Sequence, residues 1–363
     1  MNDRLCFPYR DDAEEVAGFA TVTAQIYDKM VDDISRDIFS NRLLYSLTGN
    51  QICLRNVLLH TAGGKKLNDL LHETDRDIYI YGAGIRGKRL VDLFPDVAWR
   101  GLIDRNKQDE SYHDVKILGL ETFLERYVQG ARVVVSNMSG TDAIVEDLHR
   151  VGVFREDVLV LNDFDRENMK DIYFPAGEVE LPVRRERCFV DIGCYDGKDS
   201  LKYLEWRVYH EAKVFAFEPD DRNYRICKER LEAHPNIVLY NIGLSDKEEE
   251  IGVMGEGEMA YIDAGSDRKI QTRLLDDVLK DEAVGFIKMD VEGYEEHVLL
   301  GAGEIIRSQK PVLAVSVYHK KSDIWRLPRL LLEYNGDYCF YMRHYSAANG
   351  DTVLYAVDRG NCR

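Results

Sequence analysis

Apolar residues change their spacing along this chain, and the changes divide it. From Glu15 to Leu47 they recur at helical intervals, with Ile34, Ile38 and Phe39 leading to Leu43, Leu44 and Leu47. The tripeptide TGN breaks that run, and Ile52 to His60 begins another. No strand pattern precedes Asp77, so residues 1–75 read as a helical segment whose apolar stripes are packing faces. The spacing then shifts. DIYIYGAG is a short apolar strand running into glycines, followed by the helix IRGKRLVDLF. WRGLIDRN, ARVVVSN and DVLVLND are further strands, with LETFLERY and TDAIVEDLHRVG helical between them. Short strands rich in Val and Ile that alternate with helices predict a small parallel sheet covered on both faces. Residues 166–186 are charged and without period, and read as a linker or extended arm.

At Arg187 the alternation restarts. RCFVDIGC, KVFAFEP, NIVLYNIG, GFIKMDVEG and PVLAVSVYH read as strands, separated by the helices SLKYLEWRVYH, NYRICKERLEAH and EEHVLLGAGEIIRSQ. EEEIGVMGEGEMAYID reads as a strand or hairpin excursion and TRLLDDVL as a short helix. IWRLPRLLLEY is helical, with Pro328 expected in its first turn. DYCFYMRHY and DTVLYAVDR close the chain as an antiparallel pair around SAANG. The fold class is α/β, in four parts: a helical segment (1–75), a small nucleotide-binding-type unit (76–165), a linker (166–186) and a larger unit (187–363).

A length of 363 residues agrees with more than one hydrophobic core. The net charge of −17 argues against nucleic acid or an anionic membrane as partner, since both reward cationic faces. Seven scattered cysteines without a CxxC pair signal neither a zinc site nor a disulfide framework. The opening MNDRLCFPYRDD has no apolar stretch of signal-peptide type, and no run is long enough to span a bilayer. A cytoplasmic location is the expectation.

Candidate chemistry gathers at strand ends of the larger unit. In FVDIGCYDGKDS a strand delivers Asp191 to a turn holding Gly193, Tyr195 and Gly197, and a helix follows. Glycines let backbone approach a ligand, and the helix N-terminus offers free N–H groups. The spacing is GxxxG with an acid before it, which suits a ligand with a cationic amino group better than a pyrophosphate. Glu218 ends the next strand, where a carboxylate can accept both hydroxyls of a ribose. Asn241 and Gly243 follow the third strand, where a polar loop could bracket an adenine edge. In FIKMDVEGYEEHVL, Lys288 interrupts an apolar strand, and Asp290, Glu292 and Glu295 crowd the junction around Gly293. Helix capping explains the later acids but not Asp290.

Together DIGCYDGKDS, FAFEP, NIGLSD, TRLLDDVL, IKMDVEGYEEHVLLGA and KPVLAVSVYHK closely resemble the FkbM-type methyltransferase family. The resemblance implies a class I, Rossmann-like methyltransferase fold that binds S-adenosyl-L-methionine. It also implies O-methylation of a hydroxyl on a sugar, a glycan precursor or a small metabolite. By the same resemblance Asp191, Gly193 and Gly197 form the cofactor loop, Glu218 holds the ribose, and Asp290, Glu292 and Gly293 make the signature turn. Many relatives carry an extra module with a YGAG-like strand end, which matches the smaller unit here.

That smaller unit holds a GxGxxG formed by Gly82, Gly84 and Gly87, with Asp104 ending the next strand in the ribose-acid position. Arg86 and Arg105 could hold a phosphate. Three readings stay open: a scaffold without ligand, a second nucleotide or sugar-nucleotide site, and NAD.

Methyl transfer to an alcohol needs an aligned acceptor oxygen and a group that takes its proton. His319, at the exit of a central strand, is the first candidate base because imidazole titrates near neutrality. Asp290 is the alternative base or its partner, with Glu292 beside it, and Arg343, His344 and Tyr345 are candidate acceptor contacts. Asp290, Glu292 and His319 also make a candidate Mg²⁺ or Mn²⁺ set, although a metal is not expected. The alternative function is a nucleotide-binding regulatory or scaffold protein with a non-catalytic methyltransferase domain. The stretch YCFYMRHY suits a homo-oligomer interface as readily as a pocket.

Overall fold

The computed structural model describes residues 13–361, apart from 73–75, 108–109, 128, 176, 178, 185, 207–211, 255–260, 263–264, 267 and 348–349. The end of the predicted helix SLKYLEWRVYH falls outside the described residues.

Strands form where apolar residues run consecutively. Every residue of β7 (Cys188–Ile192), β14 (Val284–Met289) and β15 (Val312–Ser316) is buried, as parallel strands covered on both faces require. These strands centre a seven-stranded sheet ordered β16-β17-β15-β14-β7-β8-β9. Its other members are β8 (Val214–Phe217), β9 (Ile237–Tyr240), β16 (Tyr338–His344) and β17 (Thr352–Asp358). β17 runs antiparallel between β15 and β16, and the remaining neighbours are parallel. Strand order therefore departs in opposite directions from β7 and β14, and a crevice opens at their carboxyl ends. A side sheet of β10 (Gly243–Leu244), β11 (Glu249–Met254), β12 (Tyr261–Ile262) and β13 (Lys269–Arg273) flanks it. The helix α14 (Asp323–Tyr334) starts early enough that Pro328 lies beyond its first turn, not within it as expected.

The smaller unit is a six-stranded sheet ordered β3-β4-β2-β1-β5-β6. β1 (Ile78–Tyr81), β2 (Trp99–Ile103), β5 (Arg132–Val135) and β6 (Val158–Val160) are the anticipated parallel strands. The antiparallel pair β3 (Ser111–Tyr112) and β4 (Val115–Leu118) has no apolar period and escaped the sequence reading.

The N-terminal helices divide between the two units. α1 (Ala13–Asp28) and α2 (Asp33–Thr48) send Ile26, Ile38 and Phe39 into the core of the larger unit with Ile287 and Leu313. α3 (Gln51–Leu58) and α4 (Ala62–His72) send Leu54, Leu58, Leu67 and Leu71 into the smaller one with Ile78 and Ile80. Between α1 and α2 the chain extends beside β16: Phe340 N donates to Lys29 O and Val31 N to Phe340 O, both at 2.9 Å. That pairing covers an exposed sheet edge.

The expected linker is not one. α8 (Leu161–Met169) crosses the anticipated boundary, and Ile172, Tyr173, Phe174, Val179 and Leu181 are buried in a core shared with Phe189, Tyr203 and Phe286. Its charges hid a set of aromatic and aliphatic anchors that fix the arm to the larger unit.

Candidate active site

The turn after β7 is built on backbone contact. Gly193 has φ +71°, and a Cβ there would lie 1.9 Å from the carbonyl oxygen of Asp290, so only glycine lets the two strand ends meet. Lys288 lies beneath, its side chain 3% exposed. Its Nζ donates to Gly193 O at 2.7 Å and pairs with Asp191 at 3.2 Å and Asp199 at 3.5 Å. Burial would lower its pKa, but the charges of Asp191, Asp199 and Asp290 outweigh that and raise it. Asp191 is wholly buried and accepts from Ser200 Oγ at 2.7 Å. The expected cofactor contact at Asp191 is thus corrected: its carboxylate braces the turn from below, whereas Tyr195, named with it, lines the cleft together with Asp199, which was not anticipated. Gly197 caps α9 (Lys198–Glu205) and packs on Leu231.

Glu218 does line the cleft. Its carboxylate accepts the backbone N–H groups of Tyr195 and Asp220, each at 2.9 Å. Burial nonetheless outweighs these bonds and pushes its pKa up to about 7. Phe217, Ile242, Gly243 and Leu244 continue this wall. Asn241 does not: its amide donates outward to Asp221 at 2.7 Å.

At the other end the chain turns sharply after β14. Glu292 has φ +52° and Gly293 φ +91°, so a glutamate is held in a conformation that disfavours side chains. Asp290 Oδ2 accepts the hydroxyl of Tyr173, which the arm delivers. Asp290 and Glu292 line the cleft with Tyr318 and Lys320, while His319 stands behind them, its side chain 10% exposed. Nε2 of His319 is 3.4 Å from Asp290 Oδ1 and 3.4 Å from Glu292 Oε2. Nδ1 is 2.8 Å from Oε1 of Glu295, a carboxylate that is 1% exposed and also accepts from Val291 N and Gly293 N. Burial would lower the imidazole's pKa, but Glu295 first and then Asp290 and Glu292 raise it to about 9. The expectation of His319 as a neutral base touching the acceptor is therefore corrected. It is shielded from the cleft, and its carboxylate neighbours favour the imidazolium.

The proposed acceptor contacts Arg343, His344 and Tyr345 face elsewhere. Arg343 is spent on Asp32 at the start of α2, at 2.7 Å. His344 Nδ1 is 2.9 Å from Thr352 Oγ1, and Tyr345 OH is 2.7 Å from Tyr355 OH, all buried between strands. Arg343 is drawn to α2, while His344 and Tyr345 pack against β17 and the residues around it instead of reaching the cleft.

Both ends belong to one cleft of about 1450 Å³, lined further by the side sheet through Ile251, Val253 and Ile270 and by the smaller unit through Ile85, Arg86, Arg89 and Met138. Such a volume exceeds the roughly 300–1,000 Å³ of a single small-molecule pocket. Arg86 bonds Asn162 at 2.6 Å and Asp165 at 2.5 Å. Asp104 accepts from Ala83 N, Asn106 N and Lys107 N, so it serves its own turn. Gly87 allows helix α5 (Ile85–Leu93) to pack on the strand end, since a Cβ there would lie 1.9 Å from Gly82 O. Gly84 has open space beside it.

Residues 191–348 match the sequence model of the methyltransferase FkbM domain. Over that stretch the larger unit resembles an FkbM methyltransferase domain. The chain is 29% identical over 153 residues to the 2-O-methyltransferase NoeI of Sinorhizobium fredii (strain NBRC 101917 / NGR234), a match covering 35% of this chain and 62% of that protein. The chain thus matches less than two thirds of the relative's length. The crystal structure of methyltransferase FkbM from Methylobacillus flagellatus KT superimposes with a TM-score of 0.50 at 17% identity, covering 89% of this chain and 99% of that one. That likeness shows a shared fold. The cofactor of an FkbM methyltransferase domain is S-adenosylmethionine. The cleft fits it: a buried carboxylate at Glu218 faces the space, Asp199 offers a second acid, and the glycine turn lies between them.

Among the described residues no helix is long and apolar enough to cross a membrane. Sequence reasoning missed Tyr173, Asp199 and Tyr318. Tyr173 sits in a segment without period, while Asp199 carries a helix-capping signal indistinguishable from a structural one.

Proposed function

We propose that this protein methylates a hydroxyl group of a carbohydrate or a related small metabolite. The observation that carries the reading is a single cleft with Glu218 and the Gly193 turn at one end and Asp290 and Glu292 at the other. When bound, S-adenosylmethionine supplies an electrophilic methyl group on sulfur. Glu218 would accept the ribose hydroxyls, with Phe217, Ile242 and Leu244 flanking the adenine and Asp199 facing the amino group. Asp290, held by Tyr173, would orient the acceptor hydroxyl, and the nearby carboxylate of Glu292 would take its proton at the cleft edge. His319 would act through these two carboxylates as a positioning residue. Ile85, Arg86, Arg89 and Met138 would form the acceptor-side wall, which gives the smaller unit a role in choosing the acceptor. The name of the relative NoeI, a 2-O-methyltransferase, supports a hydroxyl acceptor.

The test is transfer of a radiolabelled methyl group from S-adenosylmethionine to a panel of neutral and anionic saccharides. A methyl ether survives alkaline hydrolysis. Label released by alkali would identify a carboxyl acceptor, and label on amines would overturn the hydroxyl reading.

A further inference from the structure

We propose that Asp290, Glu292 and His319 bind one divalent cation of the Mn²⁺ or Mg²⁺ kind at the acceptor end of the cleft. Oxygen and nitrogen atoms of all three lie within 4.8 Å of one another. Nε2 of His319 is buried and makes no aligned hydrogen bond, and neither does Oδ1 of Asp290, yet the two face each other at 3.4 Å. Oε2 of Glu292 lies 3.4 Å from the same nitrogen. Cis ligands of an octahedral ion are separated by √2 times the metal–ligand distance. A 3.4 Å edge therefore corresponds to about 2.4 Å per ligand, slightly long for Mg²⁺ at about 2.0–2.1 Å. A small inward movement would close the site on a first-row divalent ion, and two carboxylates with one imidazole are a donor set such ions accept.

Two further features act on the ligands. Glu295 lies 2.8 Å from His319 Nδ1, near enough to keep a proton on that nitrogen while an incoming ion displaces the proton from Nε2. Tyr173 donates to Asp290 Oδ2 and leaves Oδ1 toward the histidine. Three protein ligands leave coordination positions open toward the cleft that Asp290 and Glu292 line. A role for the ion in holding the acceptor hydroxyl rests on the proposed methylation, whereas binding of the ion does not.

The experiment uses the full chain and Mn²⁺ alone. Calorimetry should find one ion per chain, and pulsed electron paramagnetic resonance should show modulation from a directly bound ¹⁴N nucleus. His319→Gln should abolish that modulation, and Asp290→Asn should weaken binding at least tenfold. Glu295→Gln should weaken it by roughly 10- to 100-fold, as loss of an outer carboxylate does. Binding of S-adenosylhomocysteine by each variant reports that it is folded. If the parent protein binds S-adenosylhomocysteine but not Mn²⁺ at millimolar concentration, the ion proposal falls and the methyltransferase reading stands. Mn²⁺ bound without ¹⁴N modulation in the parent would equally overturn it, whatever the variants do.

Discussion

Replacing Glu218 with Gln should weaken S-adenosylhomocysteine binding, and the deficit should disappear as the pH falls. The carboxylate already accepts two backbone N–H groups, and burial still holds its pKa at about 7. Ribose hydroxyls that donate to it favour the ionised form, so binding lowers this pKa and releases a proton. Hydrogen bonds to a charged group are worth about 1.5–3 kcal/mol. At about 1.4 kcal/mol per tenfold, Glu218→Gln should lose roughly 10- to 150-fold in affinity above neutrality. Below neutrality the parent's carboxyl is protonated without ligand, and its affinity should decline toward that of the variant, which stays flat. Calorimetry in two buffers of different ionisation enthalpy, at about one pH unit below the pKa, should count roughly 0.4–0.9 proton released per ligand, as a 10- to 150-fold linkage requires. Equal affinity of parent and variant across the range, or binding without proton release, would show that the ribose lies elsewhere.

The same group links pH to stability: its folded pKa of about 7 exceeds the ordinary 4.5, so without ligand it costs nothing below the lower value and progressively more as pH rises through the upper one. Glu218→Gln should therefore stabilise the ligand-free protein in urea melts at mildly alkaline pH, by up to about 3 kcal/mol, and have no such effect near pH 4. Lys288→Met strands the buried Asp191 and should cost about 3–5 kcal/mol in the same assay; a loss below about 1 kcal/mol would mean that the pair does not hold the turn. Tyr173→Phe should leave S-adenosylhomocysteine affinity intact while lowering turnover roughly tenfold or more, because Asp290 loses its anchor; unchanged turnover would exclude that role. The arm from Ile172 to Leu181 should resist limited proteolysis, since its apolar residues are buried, and early cleavage there would contradict the packing.

The alternation of strands and helices was legible because consecutive Val, Ile and Phe residues mark buried parallel strands, as in VFAF and VLAVS. Glu218 and Asp290 were legible for a related reason: each is an acid that ends an apolar strand, where the fold opens its crevice. What failed depends on contacts distant in sequence. Asp191 ends β7 like a ligand-binding acid, but Lys288 from β14 claims it, and nothing local announces that pairing. Arg343 and His344 follow an apolar strand, yet the insertion of β17 beside β15 and the packing of α2 turn them away from the cleft. His319 was located correctly at a strand exit, while its shielding by Asp290, Glu292 and Glu295 belongs to the tertiary fold. Tyr173 and Phe174 were concealed by the charges around them.

The proposed function requires that one cleft hold the methyl donor between Glu218 and the Asp290–Glu292 turn. A crystal structure with S-adenosylhomocysteine tests this most directly. Both ribose hydroxyls should lie within hydrogen-bond distance of Glu218, and the sulfur should face Asp290 and Glu292 from across the Gly193 turn. A ligand whose ribose avoids Glu218, or whose sulfur points away from that turn, would contradict it.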